Sequence, residues 1–114
     1  MEIQFSQTDG TQAGALAALE SLLHTLRHPF APGDAVGIKL HWGERGNESF
    51  LEPVYARAII QWLDTLGAKP FVFDTTVLYS GGRRHGTDSL ETAARNGYTA
   101  EFLGCPLVIA DGMD

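Results

Sequence analysis

The stretch Ala35-Val-Gly-Ile-Lys-Leu-His-Trp42 decides the fold. Val36, Ile38 and Leu40 alternate with Gly37, Lys39 and His41, the period of a strand with one apolar face. Beyond it, Glu52-Pro53 opens a helical pattern with proline at its favoured first position. Tyr55, Ile59, Trp62, Leu63 and Leu66 form the expected buried stripe of that helix, and Gly67 its left-handed cap. Pro70 to Phe73 then reads as a short apolar strand, of the kind expected in a parallel sheet covered on both faces. A further helix is predicted over Thr87 to Asn96, with Asp88 and Glu91 at capping-box spacing and Gly97 after its end. Leu107 to Ala110 is the last predicted strand, broken by Asp111-Gly112.

Upstream, Gln12 to Arg27 carries Leu16, Leu19, Leu22, Leu23 and Leu26 at helical spacing. Thr11 can cap its start and Pro29 stops it just after His28. Glu2 to Phe5 reads as a weak opening strand, and Pro32-Gly33-Asp34 as a turn. Helices of this length between short apolar strands imply right-handed crossovers. The expected fold class is α/β: three-layer, with a short, mainly parallel sheet and helices on its faces. It is expected to form a single domain over residues 1–114.

Composition narrows the function classes. The 114 residues are 44% hydrophobic and 19% charged, which supports one folded core and argues against disorder. The longest apolar runs fall well short of the roughly 20 residues of a membrane helix, and the polar start from Met1 to Gly10 is no secretory signal. One cysteine, Cys105, excludes an internal disulfide framework and an all-cysteine metal site within this chain. With 8 basic against 14 acidic residues the formal charge is −6, a poor balance for gripping nucleic acid. A soluble cytoplasmic domain, with no nucleic-acid or membrane partner, is the expectation.

In parallel α/β sheets, ligands bind beyond the carboxyl ends of the strands. There the first strand delivers Lys39, His41, Glu44, Arg45 and Asn47, the second Asp74, Thr75 and Thr76, and the third Asp111. The loop Tyr79 to His85 adds Ser80, Gly81-Gly82, Arg83 and Arg84. Four of the eight basic residues, Lys39, Arg45, Arg83 and Arg84, therefore lie on segments expected to converge at one rim, which suggests an anionic or carboxylate-bearing ligand.

Lys39 interrupts an apolar strand, so its amine must either reach solvent or find a partner. His41 and Asp74 are candidate catalytic residues for proton transfer, and with Asp111 they are candidate metal ligands. Lys39, Arg45, Asn47, Thr75, Tyr79 and Arg83 are candidate cofactor- or anion-binding residues. Structural roles stand beside each: His41 as a hydrogen-bonded strand end, Asp74 and Asp111 as loop caps, Gly81 to Arg84 as a solvated loop. Cys105 is read as a small buried hydrophobe.

Several ordered segments together are similar to the domain of unknown function 362 family. They are Val36-Gly-Ile-Lys-Leu-His-Trp-Gly-Glu-Arg-Gly-Asn47, Gly67-Ala-Lys-Pro-Phe71, Asp74-Thr75, Leu78-Tyr-Ser-Gly-Gly-Arg83, Leu90-Glu-Thr-Ala-Ala94, Asn96-Gly-Tyr98 and Leu103-Gly-Cys-Pro-Leu-Val-Ile-Ala-Asp-Gly112. The resemblance covers roughly residues 35 to 112. It implies the N-terminal α/β part of a longer, iron–sulfur cluster-binding, redox-associated protein, partnered by the remainder of that protein or another chain. A 4Fe-4S cluster is implied for the family, but one cysteine cannot supply its ligands. The resemblance carries over no catalytic residues. A self-contained metal-assisted hydrolase or isomerase using His41, Asp74 and Asp111, or a structural docking domain, are the alternatives.

Overall fold

The computed structural model describes residues 2–113. Helix α1 spans Gln12–Thr25, strand β1 Ala35–Lys39, helix α2 Pro53–Thr65, strand β2 Lys69–Asp74, helix α3 Gly86–Arg95, helix α4 Ala100–Leu103 and strand β3 Leu107–Ile109. The three strands form one parallel sheet in the order β1-β2-β3. The expected α/β class with a parallel sheet is what forms.

Local chemistry sets the boundaries. The Thr11 side chain accepts a hydrogen bond from the Gly14 amide and caps α1 as expected. Pro53 occupies the first turn of α2, where its missing N–H leaves no intrahelical bond unmade. The capping box read at Asp88 and Glu91 does not form. The helix begins earlier, with His85 at the cap position and no side-chain cap bond, so Asp88 lies in the first turn and Glu91 is left to bond elsewhere. The four-residue α4 has no counterpart in the sequence reading, being too short to show a periodicity. Thr99 caps it by accepting from the Phe102 amide. Glu2 to Phe5 pairs with no strand, and Ile3 and Phe5 are exposed.

Register explains which residues are buried. Val36, Ile38 and Leu40 share a face with Pro70, Val72 and Asp74, and with Leu107 and Ile109. Helices α2 and α3 pack onto this face. The main core joins Leu40, Trp42, Ala56, Ile60, Val72, Ala93, Tyr98, Leu103, Cys105 and Ile109. A second cluster, Val36, Leu63 and Ala68, is flanked by Phe30, Ile59, Trp62 and Leu66. The deepest α2 positions are thus Ala56, Ile60 and Leu63, of which Leu63 alone belongs to the expected stripe, because alanine lets the helix approach the sheet closely and leaves the larger Ile59 and Trp62 to fill its flank. Helix α1 packs against α2 rather than on the sheet. The opposite sheet face, with Phe71 and Phe73, is therefore not covered in the way a strand buried on both sides would be.

Ile60 is fully buried whereas Ile3 is 82% exposed. Ile60→Ala should cost about 2–5 kcal/mol through lost transfer energy and a cavity, and Ile3→Ala within about 0.5 kcal/mol. Urea unfolding followed by circular dichroism checks the contrast, and equal effects would contradict the placement of the core.

Candidate functional site

Asp74 is the last residue of β2, and its side chain turns into the buried layer with the carboxylate almost wholly withdrawn from water. An ionised carboxylate in that position needs compensating donors. It has them on both oxygens. Oδ1 accepts from Lys39 Nζ at 2.8 Å and from the Thr75 amide at 2.8 Å, and Oδ2 accepts from Arg83 Nη2 at 2.7 Å.

Lys39 stands on the other face of β1, so its side chain curls round the strand end to reach this carboxylate. Its amine also donates to the Leu40 carbonyl at 2.7 Å, while the side chain stays 52% exposed. Arg83 is only 3% exposed. Its Nη1 donates to Glu44 Oε1 at 3.0 Å and lies 3.0 Å from His41 Nε2. Arg83 Nε is buried with no partner. The exposed Tyr79 hydroxyl donates to the same Glu44 oxygen at 2.7 Å, and this bond to a carboxylate raises the phenol above its ordinary value.

The turn that brings Glu44 here depends on Gly43. Its φ is +89°, and a Cβ there would meet the Asn96 amide nitrogen at 2.7 Å and the Phe50 ring at 2.9 Å. Asn96 donates to the Trp42 carbonyl at 2.8 Å, and Trp42 Nε1 donates to Ser89 Oγ at 3.2 Å, so α3 grips the β1 exit from below. The Gly43 amide in turn donates to His41 Nδ1 at 3.0 Å. Both ring nitrogens of His41 therefore face N–H groups, which no single neutral tautomer satisfies together.

Arg45 lies beside the cluster. Its Nε donates to Thr92 Oγ1 at 3.2 Å and its Nη2 to Glu91 Oε2 at 3.3 Å. It lies across Gly82, where a Cβ would come within 2.7 Å of both Arg45 Nε and Thr92 Oγ1. The double glycine of the loop serves close packing here. Asn47 stands apart, accepting from the Ser49 amide and hydroxyl. Thr75 contributes its amide, not its side chain, to Asp74.

Asp111 is at the same end of the sheet but occupied with Thr76, accepting from its amide at 2.9 Å and from its hydroxyl at 2.5 Å. The structure thus joins Lys39, His41, Asp74, Tyr79 and Arg83 in one network and leaves Asn47 and Asp111 outside it. No three His, Cys, Asp or Glu groups able to hold a metal ion come together among the described residues. Glu44, which ties Arg83 to Tyr79, stood in the sequence only as one more polar loop residue. The available signal was a surplus of cations at the rim that required acidic partners.

The residues present do not fit a four-iron cluster. Cys105 is 7% exposed, packed in the main core, and burial pushes its thiol above the ordinary range. It is a core residue, as its sequence context suggested.

The bonds from Thr76 hold the Asp111 carboxyl below its ordinary 3.8. A folded-state value below the unfolded one means that this tie between β2 and β3 is fully present above the unfolded value. It is lost as pH falls through the lower folded value. The Thr76 amide resonance should therefore titrate with a midpoint below 3.8, and Asp111→Asn should abolish that titration. A midpoint at or above 3.8 would contradict the tie.

No helix among the described residues is long and apolar enough to cross a membrane. No curated protein and no solved structure matches the chain. The sequence pattern of the domain of unknown function DUF362 matches residues 36–114, from β1 through the whole rim network to the end of the chain. The match takes in more than half of the chain and every residue of that network, so the chain belongs to the DUF362 family.

Proposed function

We propose that the carboxyl rim of the sheet binds a small anionic ligand, a carboxylate or phosphate, and that the chain is the ligand-proximal α/β unit of an iron–sulfur-associated protein. The observation carrying this is a surplus of N–H donors at the rim. Lys39 uses two of its three ammonium protons on Leu40 and Asp74, leaving one at the half-exposed end of the side chain. His41 is exposed and meets N–H groups at both nitrogens. Both oxygens of Asp74 already accept hydrogen bonds, so an anion arriving at the rim would meet the remaining Lys39 proton at the solvent side.

Roles divide by exposure. Lys39, His41 and Tyr79 reach solvent and would touch the ligand, with Arg45 alongside. Asp74, Glu44 and Arg83 are positioning residues that hold the amine and the imidazole at the rim. The Lys39–Asp74 pair orients the amine, and an oriented ammonium recognises an anion more tightly than a freely rotating one. His41, against the Arg83 guanidinium at the same rim, can also move a proton to or from a bound acid. The iron–sulfur association rests on the family resemblance, and no step is assigned to a cluster here.

Lys39→Met separates the readings. Asp74 keeps Arg83 and the Thr75 amide, and the lysine side chain is half exposed, so the melting temperature should change little. Inorganic phosphate and acetate, titrated against the 15N-labelled chain, should shift the His41 and Thr75 amides. In the variant the affinity should fall by about 1.5–3 kcal/mol, roughly tenfold or more. An unmoved rim in the native chain, or unchanged affinity in the variant, would contradict the proposal.

A further inference from the structure

The ion pairs at the rim balance one another. Lys39 and Arg83 bring two positive charges, Asp74 and Glu44 two negative ones, and Arg45 beside them is paired with Glu91. A cluster without net charge, in a chain of charge −6, offers a bare anion little long-range attraction. Its charges are nevertheless separated. Lys39 keeps one proton free at the half-exposed end of its side chain. Glu44 closes the other end of the network. Its Oε1 accepts from both Tyr79 and Arg83, while Oε2 accepts no hydrogen bond among the described residues, in a side chain that is 26% exposed.

That free oxygen borders an open space. A Cβ on Gly81 would stand 3.9 Å from Glu44 Oε2 and 3.9 Å from the Tyr79 ring, with nothing nearer. Gly81 is exposed, and its missing side chain leaves the spot between the carboxylate and the ring to solvent. A carboxylate oxygen without a donor of its own recognises an ammonium through a charge-assisted hydrogen bond. The Tyr79 ring beside it gives the carbon next to that ammonium an apolar contact.

The geometry points to a zwitterion as the rim ligand: a small amino acid whose acid group meets Lys39 and whose ammonium sits over Gly81 against Glu44 Oε2. This deepens the anion-binding reading and rests on it. The two poles are tied to each other through the protein. Asp74 holds Lys39 by Oδ1 and Arg83 by Oδ2, and Arg83 in turn holds Glu44. Because Arg83 is nearly buried, its rigid guanidinium fixes the distance between the poles, so the site selects among amino acids by the length of chain between their charged groups. A neutral, dipolar site matches a neutral, dipolar ligand, and the Glu44 charge disfavours an anion that brings no ammonium. Glu44 thus positions Arg83 with one oxygen and selects the ligand with the other.

The test titrates the 15N-labelled chain with glycine, β-alanine and γ-aminobutyrate, each beside the acid of the same chain length without the amine: acetate, propionate and butyrate. At least one amino acid should bind about tenfold tighter than its acid, the scale of a hydrogen bond to a charged group, and should shift the Glu44 and Gly81 amides along with those of His41 and Thr75. Gly81→Ala puts a methyl group in the proposed ammonium seat at ordinary contact distance, and the backbone there is not in the left-handed region, so the fold should be kept. In this variant, and in Glu44→Gln, the preference for the amino acid over its acid should collapse to about one, with the far-UV spectrum intact. Amino acids that bind no tighter than their acids, or a preference that survives either substitution, would overturn the inference and leave the anion site standing. A rim that responds to no acid, phosphate or amino acid would overturn both.

Discussion

A carboxylate kept out of water at the end of a central strand constrains everything around it. Asp74 is 1% exposed, and an unpaired charge in that position would cost several kcal/mol. The chain therefore has to bring cations to it from two directions, Lys39 from the neighbouring strand and Arg83 from the loop before α3. Arg83 cannot be left with one partner either, and Glu44 and His41 close round its other nitrogen. One buried charge thus joins β1, β2, the loop after β1 and the start of α3. The rim is a cross-linked end rather than a set of free loops, and the exposed amine of Lys39 is held in place as a consequence.

The core beneath supports the same geometry. Trp42 is fully buried three residues after the strand ends, anchored through its indole to Ser89 and through its carbonyl to Asn96. Tyr98 closes the same layer, its hydroxyl donating to the Leu51 carbonyl, and burial pushes its pKa up to about 12. These bonds tie α3 to the segment that carries His41 and Glu44, so movement of the helix would move the rim. Gly43 and Gly82 matter for the same reason, since a side chain would displace Asn96 and Phe50 at the first and Arg45 and Thr92 at the second, all packed around the rim.

Much of this was legible in the sequence, and what was not has physical causes. Strand alternation in Val36-Ile38-Leu40 and the proline opening of α2 are local signals; α2 formed where it was read, and β1 starts at Ala35 as read but ends at Lys39, short of Trp42. The convergence of Lys39, His41, Asp74 and Arg83 followed from parallel topology alone. The direction of their side chains did not, because Lys39 reaches Asp74 only by curling round the strand end, and Arg83, read as a surface cation, is pulled inward by two acids distant in sequence. Glu91 reads as half of a capping box but bonds Arg45, since His85 rather than a side-chain cap precedes α3. The partly open second face was hidden as well. A short apolar run such as Pro70 to Phe73 looks the same whether both of its faces are covered or only one.

Asp74 and Arg83 are central to this account, and their coupling can be measured directly by a double-mutant cycle on Asp74→Asn and Arg83→Met followed by urea unfolding. Each single change strands a buried partner and should destabilise strongly, while the double change removes both members and should recover part of the loss. The account predicts a coupling of about 2–3 kcal/mol, at the upper end for residues in direct contact. Additive effects, with a coupling near zero, would mean that the rim is not organised by this pair.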